Sequence, residues 1–219
     1  MSIFEPPPTD TAILVREWIE FRPVNQLGED AAIEFHVVPQ SSGYLDLKQS
    51  RLNVKIKITK GDGSAVTEAD VVAPINLLLH SLFSQVECQM QQNPFPNGQF
   101  DDADAKTGGN LGLYERWSYT RNGGVVDLEG PILLDLFQQE RLILNRVTLD
   151  LKLWPSRNAF RLMSDSIQPN EKMKIVDATL KMCMQRPNPA QTMAHSKELE
   201  ESTALYPYAA HLRPSIEMT

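Results

Sequence analysis

The sequence predicts an all-β protein, mainly antiparallel, of the sandwich or barrel kind. Apolar and polar residues alternate singly over several short runs, and Gly, Pro, Asn and Asp cluster between those runs. The length, 219 residues, suits one large all-β domain or two small ones. With 42% hydrophobic and 22% charged residues, the chain can bury a sizeable core without disulfides or metals.

Along the chain, residues 1–10 carry acids and Pro6-Pro7-Pro8 and are expected to form a flexible N-terminal segment. Residues 33–38 form a weak strand candidate. The clearest strand is 52–58, where Leu52, Val54, Ile56 and Ile58 alternate with Asn53, Lys55 and Lys57, so that one face is apolar and the other wet. Lys60-Gly61-Asp62-Gly63 ends it with turn chemistry. A short helix is expected near 75–84, with Leu78, Leu79, Leu82 and Phe83 on one side. Residues 86–90 read as a weak strand. The polar, turn-rich stretch 91–112 then reads as a long exposed loop of a length that is uncommon unless functional or mobile.

Beyond it, residues 114–120 and 125–128 are read as two strands joined by Asn122-Gly123-Gly124, because positive φ is cheap at Asn and Gly. Val147, Leu149, Leu151 and Leu153 form another alternating run, stopped by Trp154-Pro155 because proline cannot donate to a ladder. Val176, Ala178, Leu180, Met182 and Met184 make a third apolar face. A C-terminal helix near 190–204 opens after Pro187-Asn188-Pro189 and has a thin apolar stripe at Met193, Ala194 and Leu199, suited to a surface or to docking a neighbour. The expected organisation is thus a flexible segment 1–10, a β domain 11–189 interrupted by the loop 91–112, and a helix with a C-terminal extension, 190–219.

Charge and motifs narrow the function. The net charge of -7 argues against duplex nucleic acid as the main partner, because phosphate binding needs a basic surplus. No apolar run approaches membrane-spanning length, and no basic, apolar leader is visible at the N-terminus, which points to an intracellular location. Cys88 and Cys183 sit in apolar runs without a CxxC or His/Cys cluster and read as buried free thiols. His36, His80, His195 and His211 are scattered without ligand spacing. Asp101, Asp102 and Asp104 resemble the opening of a calcium loop, but counting from Asp102 the last ligand position falls on Leu113 rather than a glutamate. Gly108-Gly109 and Gly123-Gly124 match no phosphate-binding pattern. Glu115, Asp127, Glu129 and Asp135 form no recognisable acid/base pair and read as solvated or salt-bridged. Neither a catalytic constellation nor a cofactor is expected, and no small-molecule substrate.

Two segments invite an interface reading. In 140–146, Arg141 and Arg146 either lie on the wet face of a strand start or anchor contacts with a neighbouring subunit. Tyr206-Pro207-Tyr208 favours an extended segment that packs on a partner or on the chain's own rim.

Several phrases carry a family resemblance together. They are Val15-Arg16-Glu17-Trp18-Ile19-Glu20-Phe21-Arg22-Pro23, the stretch from Ile33-Glu34-Phe35 to Tyr44-Leu45-Asp46-Leu47, residues 52–63, residues 135–145 and Ala194-His195-Ser196-Lys197-Glu198-Leu199-Glu200. The most specific is Asn76-Leu77-Leu78-Leu79-His80-Ser81-Leu82-Phe83-Ser84-Gln85-Val86. Over 11–208 the chain resembles a family of animal proteins carried by virus-derived DNA transposons of the Polinton/Maverick or adintovirus-like kind. The resemblance implies a capsid-like jelly-roll β-sandwich that works by forming homo-oligomers or joining related capsid subunits, with no membrane and no specific nucleic-acid partner. Trp18, Phe21, Tyr44, Phe83 and Trp117 are candidate anchors or core; the interface set is Trp18, Phe21, Arg141, Arg146, Tyr206 and Tyr208. The chain departs from the family at 91–110, where relatives carry a longer Tyr/Pro-rich stretch, and soon after Tyr208, where relatives continue. Both fit a degenerate transposon copy or a truncated gene model. The alternative is a β-sandwich module that binds carbohydrate or peptide, with loop 91–112 lining its groove; an enzyme on a β-scaffold comes last.

Overall fold

A computed structural model describes residues 12–29, 31–39, 43–84, 110–164, 166, 170–204 and 206. Long alternating strands dominate it, and every strand pairing in it is antiparallel. In chain order the elements are β1 (Ile13–Phe21), β2 (Ile33–Val37), β3 (Tyr44–Thr59), β4 (Val72–Pro74), α1 (Leu78–Ser81), α2 (Leu111–Thr120), β5 (Val126–Pro131), α3 (Asp135–Gln138), β6 (Leu149–Leu153), α4 (Asn158–Arg161), β7 (Leu162–Ser164), β8 (Lys172–Pro187) and α5 (Pro189–Glu201). Four strands form a sheet in the order β1-β8-β3-β5, while β2 pairs with β6 and β4 with β7.

Period-two patterning explains how the sheets pack. Leu52, Val54 and Ile56 of β3 and Ala178, Leu180, Met182 and Met184 of β8 point inward, and the β2–β6 pair answers with Ile33, Phe35, Val37, Leu149, Leu151 and Leu153. All belong to one buried cluster, so the four-stranded sheet and the β2–β6 pair share a core. Strands from both sides of the 91–112 stretch therefore complete one sheet, as expected.

Two bulges keep long strands facing that core. On β3, Asp46 faces Cys183 and Arg51 faces Lys181, so residues 47–50 stand against Met182 alone. The insertion switches the inward positions from Leu45 and Leu47 to Leu52, Val54 and Ile56, and the Ser50 hydroxyl pins it by donating to the Asp46 carbonyl at 2.8 Å. On β8, Lys55 faces Asp177 while Ile56 faces Ile175, which leaves Val176 as the extra residue. The expected apolar face beginning at Val176 is corrected accordingly: Val176 is 44% exposed, and the inward set continues through Ile175 and Met173.

Other expectations also need correction. Residues 114–120 are not a strand but most of α2. Asn110 caps it by accepting from the Leu113 amide at 3.0 Å, and Leu113, Trp117 and Thr120 fall on one buried helical face. Leu111 and Gly112, read as the end of the long loop, belong to the same helix. Asn122-Gly123-Gly124 does not close a hairpin; Arg121–Gly123 is a single 3-10 turn between α2 and β5, with Asn122 at φ 58° and Gly123 at φ 72°. The helix expected near 75–84 shrinks to Leu78–Ser81, because Phe83 leaves it to bridge Pro155. Residues 140–146 form no strand, only a single bridge from Ile143 to Leu45. β1, β4, β7, α3 and α4 were not anticipated. The C-terminal helix was anticipated closely, but none of its residues is buried. The 86–90 strand and the rest of the 91–112 loop lie outside the described residues.

A corner beside α2 yields a pH prediction. The Thr67 amide and hydroxyl both donate to one Asp70 carboxylate oxygen, at 2.6 and 2.8 Å, and Lys60 Nζ lies 3.0 Å from it. The backbone hydrogen bond from Thr67 is the main influence holding this carboxyl below the usual aspartate value of 3.8. A depressed carboxyl stabilises the fold above its unfolded value and loses that contribution as pH falls through its folded one. Asp70→Asn is therefore expected to cost about 1 kcal/mol at pH 7 in urea unfolding, and the gap to the wild type should close below the usual aspartate range. A gap that stays constant down to acid pH would contradict the assignment.

Candidate functional site

Two surface regions collect the residues singled out by sequence. The first is built around α5. Asn188 caps the helix by accepting from the Ala190 amide at 3.0 Å, and Pro189 occupies its first turn, where a missing N–H is harmless. With none of its residues buried, α5 depends on a few polar contacts. His195 stacks on Tyr44 with ring centres 5.8 Å apart, and its Nδ1 lies 3.1 Å from the Tyr44 hydroxyl. Beyond the helix, the Tyr206 hydroxyl accepts from the Leu144 amide at 3.2 Å. Residues 141–144 are held in turn by the paired Leu45–Ile143 backbone bonds of 2.9 and 2.8 Å. Between these parts lies a groove of about 250 Å³, lined by Arg141, Leu142, Leu144, His195, Leu199 and Tyr206 among others.

Burial pushes the Tyr44 hydroxyl above the ordinary tyrosine range. Removing that hydroxyl tests how α5 is held. Tyr44→Phe is expected to speed hydrogen exchange of α5 amides several-fold while β3 and β8 amides stay protected; uniform exchange changes would argue against a local latch.

The second region is the outer face of the four-stranded sheet. Arg22 pairs with Asp177 at 2.7 Å, Lys181 with Glu129 at 2.6 Å, and Asn53 donates to Asp127 at 2.7 Å. The bond from Lys181 lowers the Glu129 carboxyl below its usual range. The candidate acids Asp127 and Glu129 are thus partnered across strands, while Glu115 is exposed on α2 and Asp135 opens α3. Cys183 lies on this face but is fully buried, with its thiol pushed up by burial, as expected of a free cysteine; Cys88 lies outside the described residues. His36 pairs with Asp150 at 2.5 Å on the β2–β6 sheet, His80 lies within α1, and His211 lies outside the described residues. Among the described residues no three His, Cys, Asp or Glu side chains converge as a metal site, and no helix is long and apolar enough to cross a membrane.

The chain matches no protein-family model and no curated protein sequence.

Among the described residues, the sequence-selected interface set divides: Arg141 and Tyr206 line the α5 groove, while Trp18 and Phe21 stand on β1. Trp18 stands on β1, opposite Cys183 of β8, and is 48% exposed. Phe21, at the other parity of β1, packs against the core. Arg141 is exposed at the α5 groove, and Arg146 is exposed in a turn at φ 66°. Tyr206 docks on the chain's own surface through Leu144. Tyr208 lies outside the described residues. Tyr44, Phe83 and Trp117, considered as anchors, are buried. Sequence reasoning missed the Tyr44–His195 pair, whose members stand 151 positions apart and carry no local signal.

Proposed function

We infer that the chain is a capsid-like jelly-roll subunit of a virus-derived mobile element, non-catalytic and working by self-assembly. The observation that carries this reading is the nesting of its strand pairs. β1 pairs with β8, β2 with β6 and β3 with β5, so successive strands pair inward from the two ends of the domain. A jelly roll has that connectivity, because it is a long antiparallel ribbon rolled until its two halves stack. On this reading the β3–β8 contact is the seam made on rolling, and among the described strands only the short β4–β7 pair stands outside the nesting. The resemblance of residues 11–208 to transposon-borne capsid-like proteins supplies the functional half, since a jelly roll by itself serves shells and lectins alike. Apolar side chains left outside, Leu14, Val15 and Trp18 on β1 and Met193 and Leu199 on α5, suit contacts with further copies.

Multi-angle light scattering over a range of concentrations, with electron microscopy of the concentrated sample, tests the reading. Growth into oligomers or shells is the expected result. A strict monomer at the highest attainable concentration overturns it. The groove beside α5 favours one second reading, a peptide- or carbohydrate-binding module, although about 250 Å³ is small for a ligand pocket. Specific hits on glycan and peptide arrays, with no self-association, would select that module instead.

A further inference from the structure

We propose that two copies of the chain join edge to edge through β1, antiparallel about a two-fold axis at Trp18, so that their four-stranded sheets become one continuous sheet. The proposal rests on the assembly reading for its premise that the chain self-associates, and it names the surface.

Among the described residues β1 bonds to β8 on one side and has no strand on the other. Unpaired edges are usually blunted by charged side chains, lysine above all, by proline, by a mid-strand bulge or by shortness. β1 is nine residues long, Ile-Leu-Val-Arg-Glu-Trp-Ile-Glu-Phe, without lysine, proline or glycine, and its one irregularity lies at the Ile13 end. Its charges are Arg16, Glu17 and Glu20, and Glu17 is paired with Arg186 within the chain, so an added strand fits this edge only if it answers the other two.

The side chains say which strand. Arg16, Trp18 and Glu20 lie on the outer face and are exposed, and Leu14, at the irregular end, is exposed as well. Arg16 and Glu20 are equidistant from Trp18 and opposite in charge, and among the described residues neither forms a salt bridge within the chain. With the axis at Trp18, Arg16 of each copy faces Glu20 of the other. Two ion pairs then flank a Trp18–Trp18 contact on one face, and Val15 faces Phe21 of the second copy on the other face. Neighbouring registers are worse. Centring on Glu17 sets that carboxylate against its own copy, and centring on Ile19 sets Arg16 against Arg22. Like charges directly opposite each other destabilise a ladder. β1 is therefore self-complementary in one register, as a two-fold interface requires.

Charge exchange tests both surface and register. Arg16→Glu, Glu20→Arg, the double swap, Trp18→Ala and the wild type are compared by sedimentation equilibrium, with circular dichroism to verify folding. All three positions are exposed, so the variants should fold. Each single reversal turns both cross-axis pairs repulsive and is expected to weaken the two-fold contact on the order of tenfold. Mixing the two single variants, or combining both changes in one chain, should restore wild-type affinity. Trp18→Ala is expected to weaken association about thirtyfold, the loss typical of a central aromatic anchor. If the wild type associates but the reversals do not weaken it, or mixing does not restore it, the β1 interface is wrong while self-assembly stands. If the wild type never associates, both fall.

Discussion

Phe35→Ala is expected to lower the unfolding free energy by about 3–5 kcal/mol, the range for truncating a buried aromatic in a packed core. Phe35 is 1% exposed at the centre of β2, opposite Leu151 of β6, and its ring joins the cluster shared with β3 and β8. Truncation removes apolar transfer energy and leaves a void between two layers that cannot both relax inward. A domain of ordinary stability has about 5–15 kcal/mol to lose, so the variant should unfold at much lower urea concentration. His36 next in the strand is the control. It points outward to Asp150, and His36→Ala should cost less than about 1 kcal/mol. Equal losses at the two positions would mean that the β2–β6 pair does not pack on the large sheet.

The second large effect is expected at Trp117, and it separates the two kinds of tryptophan in this chain. Trp117 is 4% exposed, packs with Leu113 and Ala73, and donates its indole N–H to the Asp70 carbonyl at 3.2 Å. The Arg121 guanidinium lies 5.2 Å above its ring. Trp117→Ala should cost about 3–5 kcal/mol from the lost side chain, with a further contribution of about 0.5–1 kcal/mol from the cation–π contact. Near-ultraviolet circular dichroism and urea unfolding would register it. Trp18→Ala, measured at a concentration too low for association, should stay within about 0.5 kcal/mol of the wild type. A mild Trp117 variant would show that α2 is not seated on β4.

The contrast also shows what local sequence can and cannot disclose. Residues 52–58 were legible because one strand face meets the core and the other meets water, which writes a period of two directly into the chain. Residues 114–120 were misread because Tyr114, Trp117, Tyr119 and Thr120 favour strands and Asn122-Gly123 imitates a hairpin turn. The helical signal was present in the Asn110 cap and in the spacing of Leu113, Trp117 and Thr120. β1 was missed because edge position leaves its outer residues charged or exposed, and alternation of burial is then shallow. The bulges at 47–50 and Val176 depend on what the partner strand does, so no single segment encodes them. Of the α5 region, the helix was readable from Pro189 and its charges, whereas its seat on Tyr44 arises only when distant segments meet.

The inward-nesting order of strand pairs has a consequence for biosynthesis. β1 leaves the ribosome first, yet its partner β8 ends at Pro187, and β2 waits for β6 in the same way. The growing chain cannot close its principal sheet until Pro187 has been translated, and ladders joining such distant segments assemble slowly. Until then the amphipathic strands that emerge early have apolar faces with no partner to cover them, which makes premature clumping the hazard to be avoided.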